Sequence, residues 1–231
     1  MEQKIADIIK EAEMVLVGIG EEFTPALPEY AGEAELAPYA KSNYYRELPD
    51  DHEIIQAYNN LREMIGAKPY FVVTLNTDDL IYRSKLEQDL IVAPCGSMGK
   101  MQCDEHIVDA ASICNEVLAQ QDLSLAVCPQ CGAPLRFHTV KEEGYLEAGY
   151  LPQWNKYTRW LGCTLNRKLV ILELGVGFQY PQVVRFPFEK TAFYNMKSTF
   201  VRVNSKFPQL PPELSQRGIG ISENPVQLFV K

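Results

Sequence analysis

The sequence contains no run approaching the roughly 20 consecutive apolar residues that a membrane span needs. Its opening, MEQKIADIIKEAE, reads as a charged amphipathic helix rather than a signal peptide. These absences lead to the expectation of a cytoplasmic protein with no membrane partner. Cations are also scarce: 22 Lys and Arg stand against 30 Asp and Glu, for a net charge of −8. Neutralising phosphates takes clustered Lys and Arg, so the balance argues against nucleic acid and is compatible with a basic protein or peptide. There is no low-complexity run. The six cysteines are paired by spacing, which with the lack of a secretory signal favours thiolate–metal chemistry over disulfides. A chain of 231 residues suits one domain with an inserted subdomain, or two small domains.

What is present centres on residues 94–136. Cys128-Pro-Gln-Cys131-Gly places two thiolates two residues apart, and Cys103-Asp-Glu-His106 repeats the gap with an imidazole at its end. Cys103, His106, Cys128 and Cys131 would form a closed Cys3His zinc site, with 21 residues between the ligand pairs. Cys114 is the alternative fourth ligand; otherwise it reads as a small buried apolar residue.

The rest of the chain alternates helices and strands. A helix over residues 2–13 leads into a buried strand from Met14 to Val17, which ends at Gly18-Ile-Gly20. A strand followed by Gly-x-Gly opens many nucleotide-binding α/β folds, because glycine lets the backbone approach a pyrophosphate. The same residues suit a plain turn. The third glycine of that motif is missing, and Glu21 and Glu22 put carboxylates where a phosphate needs amide N–H groups. Residues 23–49 read as a long loop with one short helix, and a helix follows from about Pro49 to Gly66. The strand Pro69–Thr74 delivers Asn76 and Asp78 to its carboxyl end, where open α/β sheets bind ligands; a turn with a helix cap would use the same residues. Further strands are expected at Asp89–Ala93, Lys168–Leu174, Thr199–Val203 and near Val226–Val230. Helices are expected over Ile107–Gln121, Gln153–Leu165 and near Pro187–Met196. Lys168–Leu174 ends in a second glycine pair, Gly175-Val-Gly177. The pattern predicts a doubly wound, Rossmann-like parallel sheet over 1–93 and 141–231, with a small zinc-binding subdomain inserted at 94–140.

Several segments, in this order, match one family. Val15–Gly20 resembles its first glycine loop, Val73–Asp78 its Thr-Gln-Asn-x-Asp segment, and Cys95-Gly96-Ser97 stands where it has His-Gly-Ser. Cys128–Arg136 is similar to its second zinc half, Cys-Pro-x-Cys-Gly-x-x-Leu-Arg. Glu173–Gly177 stands near its Gly-Thr-Ser loop, and Asn204 ends a strand as its ribose-side segment does. The chain therefore resembles the sirtuins, NAD-dependent protein deacylases and ADP-ribosyltransferases, and looks most like their divergent bacterial forms.

That resemblance implies NAD and zinc as cofactors and a protein or peptide substrate. It implies a cofactor site at Gly18, Gly20, Asn76, Asp78, Gly175, Gly177 and Asn204, with Asn76, Asp78 and Cys95 at the reacting centre. The departures fall on chemistry. Cys95 replaces the family's histidine base, and an unperturbed thiol is mostly neutral at pH 7. Leu75 replaces the glutamine, Glu22 the phosphate-side serine, and the family's Gly-Ile-Pro-Asp-Phe-Arg segment has no counterpart in residues 21–46. The expected activity is cleavage of nicotinamide from NAD, with deacylation or, given the missing base, ADP-ribosylation. The alternative is a non-catalytic relative that binds a nucleotide or peptide. Cys95 divides between a reactive thiol, a metal-proximal cysteine and an inert buried residue.

Overall fold

A computed structural model describes residues 1–230. Its elements are, in chain order, α1 (Glu2–Glu11), β1 (Met14–Ile19), α2 (Ala37–Glu47), α3 (Glu53–Ile65), β2 (Tyr70–Thr74), β3 (Ile91–Val92), β4 (Gly96–Gln102), β5 (Ile107–Asp109), α4 (Ala111–Gln120), β6 (Arg136–Thr139), α5 (Leu151–Gly162), β7 (Leu169–Leu174), α6 (Arg185–Tyr194), β8 (Thr199–Val203), β9 (Gly218–Ile221) and α7 (Pro225–Val230).

The strands with unbroken apolar character form a six-stranded parallel sheet in the order β3-β2-β1-β7-β8-β9. Every residue of β1, β2 and β7 is buried, as strands covered on both faces require. Alternate side chains sort to two faces. Val15, Val17, Val72 and Leu172 meet Ile5, Ile9, Ile55, Tyr58 and Phe229 on one side. Leu16, Phe71, Leu169 and Ile171 meet Tyr157, Val184 and Phe188 on the other. The chain reverses its direction of sheet growth between β1 and β7, so the carboxyl ends of these neighbours mark the switch point where doubly wound sheets hold ligands.

Between β3 and β7 the chain builds a second, antiparallel sheet in the order β5-β4-β6. The helix expected over Ile107–Gln121 is split. Residues 107–109 pair with β4, and Asp109 Oδ1 accepts from Ala111 N at 2.8 Å as the helix begins. Residues 23–49 contain an 11-residue helix, α2, which leans on this sheet: Ser42 Oγ donates to Met98 O at 2.7 Å, and the Tyr39 and Phe137 rings meet edge to face at 5.2 Å.

The strand expected near Val226–Val230 is a helix, α7, and the last strand lies earlier, at Gly218–Ile221. Asn224 decides the difference. Its Oδ1 accepts from Val226 N and Gln227 N at 2.9 and 3.2 Å, a side-chain cap that starts a helix at Pro225. The apolar face so formed packs on α3, where Asn60 Nδ2 donates to Phe229 O at 2.6 Å.

Candidate functional site

The carboxyl end of the parallel sheet opens into a cleft of about 780 Å³, walled on one side by the sheet's loops and on the other by α2 and β6. Asn76, Thr77, Cys95, Glu21 and Tyr180 line it, together with Lys41, Tyr44 and Tyr45 from α2. The volume is that of a pocket for a sizeable small molecule. The α2 wall was not legible in the sequence, since Tyr39, Ser42 and Tyr45 bury themselves against a sheet made later in the chain.

The two expected glycine pairs come together at the switch point. Gly18 sits under α6, where a Cβ would collide with the Val184 and Phe188 side chains, so its lack of a side chain serves helix packing. Gly20 presses on the second loop, where a Cβ would collide with the Val176 backbone. Gly175 adopts φ 64°, a left-handed conformation that glycine takes without strain, and its N–H donates to Val203 O at 2.8 Å. The Gly177 N–H donates to Glu21 Oε2 at 2.6 Å. Asn204 is buried and spends its side chain on its own surroundings: Nδ2 donates to Val176 O at 3.0 Å, and Oδ1 accepts from Lys206 N and Phe207 N.

Asn76 and Asp78 point to opposite sides of the loop after β2. Asn76 faces the cleft, while Asp78 lines a neighbouring cavity of about 560 Å³ with Asp79, Ser97 and His138. Asp78 Oδ1 accepts from Leu80 N at 3.0 Å. Its Oδ2, Asn76 Nδ2 and the Tyr58 hydroxyl are all buried and meet no partner in the protein. Burial pushes the Asp78 carboxyl up to about 7, helped by the neighbouring Asp79 and opposed by the Leu80 N–H and, more weakly, by the charge of Lys41. From this the sign of a pH effect follows. The folded pKa lies above the ordinary 3.8, so the folded chain holds a proton that the unfolded chain releases between those values. Stability from this group is full below pH 4 and is lost as pH rises through about 7. Urea unfolding at pH 5 and pH 8 is expected to show this loss, on the order of a few kcal/mol, and Asp78→Asn is expected to flatten it; an equal slope in the variant would refute the assignment.

Cys95 lies in the cleft wall, 2% exposed. Burial, with the charge of Glu21, pushes its thiol up to about 12. It stays neutral at pH 7 and cannot serve as a base there.

Cys103, His106, Cys128 and Cys131 converge, with one ligand atom from each within 4.8 Å of all the others. The Cys103 and Cys131 sulfurs are 3.7 Å apart, and His106 Nδ1 lies 3.5 Å from Cys103 Sγ and 3.8 Å from Cys128 Sγ. A tetrahedral zinc with Zn–S of about 2.3 Å has edges of about 3.7 Å, so donor set and spacing fit the ion. The Glu105 and His106 N–H groups pull the Cys103 thiol down to about 6, towards the thiolate a metal requires. Cys114 is buried in α4, outside this cluster. None of the four ligands lines the cleft.

No family model matches the chain. A protein ADP-ribosyltransferase of Staphylococcus aureus is 25% identical over a 258-residue alignment, covering 94% of this chain and 82% of that protein. A probable bifunctional ADP-ribose hydrolase/ADP-ribosyltransferase of Fusarium oxysporum is 27% identical over 135 residues, covering 52% of this chain and 23% of its own length. Among solved structures, a Sir2 enzyme studied for mechanism and regulation aligns over 99% of this chain and 94% of its own, with a TM-score of 0.63 at 16% identity. A Sir2–p53 peptide–NAD+ complex aligns over 98% and 95%, with a TM-score of 0.61 at 14% identity. The chain thus has the fold of the Sir2 enzymes, the sirtuins, as the resemblance in its sequence implied.

Proposed function

We propose that this chain cleaves the nicotinamide–ribose bond of NAD and transfers ADP-ribose to a side chain of a protein or peptide. The observation that carries the reading is Asn76 Nδ2, a buried hydrogen-bond donor without a partner on a residue that lines the cleft just after β2. Buried polar groups are nearly always satisfied, so a donor left open on a cleft residue supports a ligand that brings it a hydrogen-bond acceptor, as the carbonyl of a carboxamide does. NAD, when bound, supplies the electrophilic ribose carbon and the leaving group. Asn76 would orient the ring from the cleft side. Asp78, with its pKa near 7, can hold or release a proton near neutrality in the neighbouring cavity, on the other side of the same loop.

Cys95 decides between the two outcomes open to such a site. With its thiol held protonated, deacylation loses base help worth roughly 100- to 10,000-fold. Transfer to an acceptor that brings its own nucleophile keeps its rate, and the name of the Staphylococcus aureus relative supports that choice. A second reading, binding without turnover, is favoured by the Glu21 carboxylate on the Gly177 N–H.

Nicotinamide release and transfer of labelled ADP-ribose separate these readings. Release at least 10-fold above an Asn76→Ala control, without acceleration by an acylated peptide, is the expected result. Absence of release together with no thermal shift on adding NAD would refute the proposal, and acceleration by the acylated peptide would assign deacylation instead.

A further inference from the structure

We infer that Glu21 and Glu22 set the nucleotide selectivity of the cleft, by filling with their own carboxylates the backbone N–H groups that a diphosphate would need. The inference rests on the reading of this cleft as a nucleotide site. After Gly20 the chain makes a 3-10 turn over Glu21–Phe23. From this turn, Glu21 Oε2 accepts the Gly177 N–H at 2.6 Å. Glu22 accepts the Ser205 N–H at 3.0 and 3.3 Å and also the Ser205 hydroxyl. Gly177 and Ser205 follow β7 and β8, neighbours in the sheet, so the two carboxylates span the ligand-binding edge next to the switch point. N–H groups displayed at that edge are anion seats, and here each seat already holds an anion.

The surroundings are shaped for this occupation. A Cβ at Gly177 would stand 2.5 Å from Glu21 Oε1, and one at Gly175 would stand 2.6 Å from the Glu22 Cβ, so the missing side chains make room for the carboxylates. The turn is anchored as well. Glu22 N donates to Gly175 O at 3.3 Å, and Phe23 is fully buried, its ring stacked on Tyr58 at 4.9 Å. A diphosphate seated on these N–H groups would therefore have to displace two side chains from a fixed turn and lie beside their charges. A nucleoside without phosphates meets neither obstacle. The order of affinities is thus the reverse of an ordinary glycine-loop site: phosphates weaken binding unless both glutamates swing away.

Calorimetry with the full, zinc-loaded chain tests this with adenosine, ADP and NAD against the wild type, Glu21→Gln/Glu22→Gln and Glu21→Ala/Glu22→Ala. The glutamine pair keeps shape and removes charge, and serves alone if the alanine pair fails to fold. ADP and NAD are expected to bind the alanine pair at least 10-fold more tightly than the wild type, with the glutamine pair in between and adenosine changed less than twofold. Equal or weaker ADP and NAD binding by the variants would overturn the inference and leave the nucleotide site standing. Binding of none of the three ligands by any of the proteins would overturn the nucleotide reading and this inference together.

Discussion

Replacing Cys128 by Ser is expected to reduce bound zinc from about one ion per chain to well below one and to loosen the small sheet while the parallel sheet stays closed. The expectation follows from where the ligands stand. Cys103 and His106 sit on the turn between β4 and β5, and Cys128 and Cys131 on the loop between α4 and β6, so the cluster ties two separate turns. That loop is held otherwise by hydrogen bonds within itself, among them Cys128 N to Ala133 O at 2.7 Å and Leu135 N to Ala126 O at 2.8 Å, while Leu123 and Val127 are exposed. In small isolated domains a structural zinc contributes roughly 10–16 kcal/mol to folding. Here α2 and the Met101, Val117 and Phe137 core retain part of the subdomain without it, so local rather than global opening is the expected consequence. Zinc content by mass spectrometry and hydrogen exchange over residues 103–135 measure the two effects. Full zinc retention in the variant, or a purified wild type holding far less than one zinc, would refute the assignment.

The parts of the molecule that could be read from the sequence are those whose cause is local or chemical. Runs such as Val15–Ile19 and Leu169–Leu174 announce strands because both faces are covered, and the zinc quartet announces itself because ligand spacing is fixed by the ion rather than by packing. Val226–Val230 was open to both readings: five residues of mostly apolar character suit a strand or a single helical turn, and only the Asn224 cap and the face of α3 select the helix. A short helix is expected within residues 23–49, but the bounds and buried face of α2 are not legible, because that face is defined by a sheet whose strands lie more than 40 residues later. The partners of Glu21 and Glu22 are further still, 156 and 183 residues along the chain. The sequence places those carboxylates at the glycine loop, but which amides they meet is a property of strand order.

One residue did carry a local signal that points to a large effect: Glu173, a lone acid within the apolar run of β7. It is fully buried, and it sits in register with Gly18 on one side and Arg202 on the other, with Gly220 beyond. Its oxygens accept from Arg202 Nε at 2.6 Å and Nη2 at 3.0 Å, and from Arg185 Nη1 at 3.3 Å. Arg202 also pairs with Glu189 at 2.7 Å and donates to Gln209 O at 2.5 Å, while Arg185 holds Val176 O and Phe207 O and lies over the Phe178 ring. The network thus fastens the loops after β7 and β8 that rim the carboxyl end of the sheet. Replacing Arg202 by Met leaves Glu173 buried with a single long contact, and the expected loss is roughly 3–5 kcal/mol, the cost of stranding a buried charge rather than the net worth of the pair. Adding Glu173→Leu to that variant removes the stranded charge and is expected to restore more than half of the loss, because an apolar pair of similar volume fits the same face. Urea denaturation of the two single variants and the double variant measures the coupling. Additive losses, with the double variant as unstable as the sum of the singles, would show that these side chains act by shape alone and that their charges are not coupled.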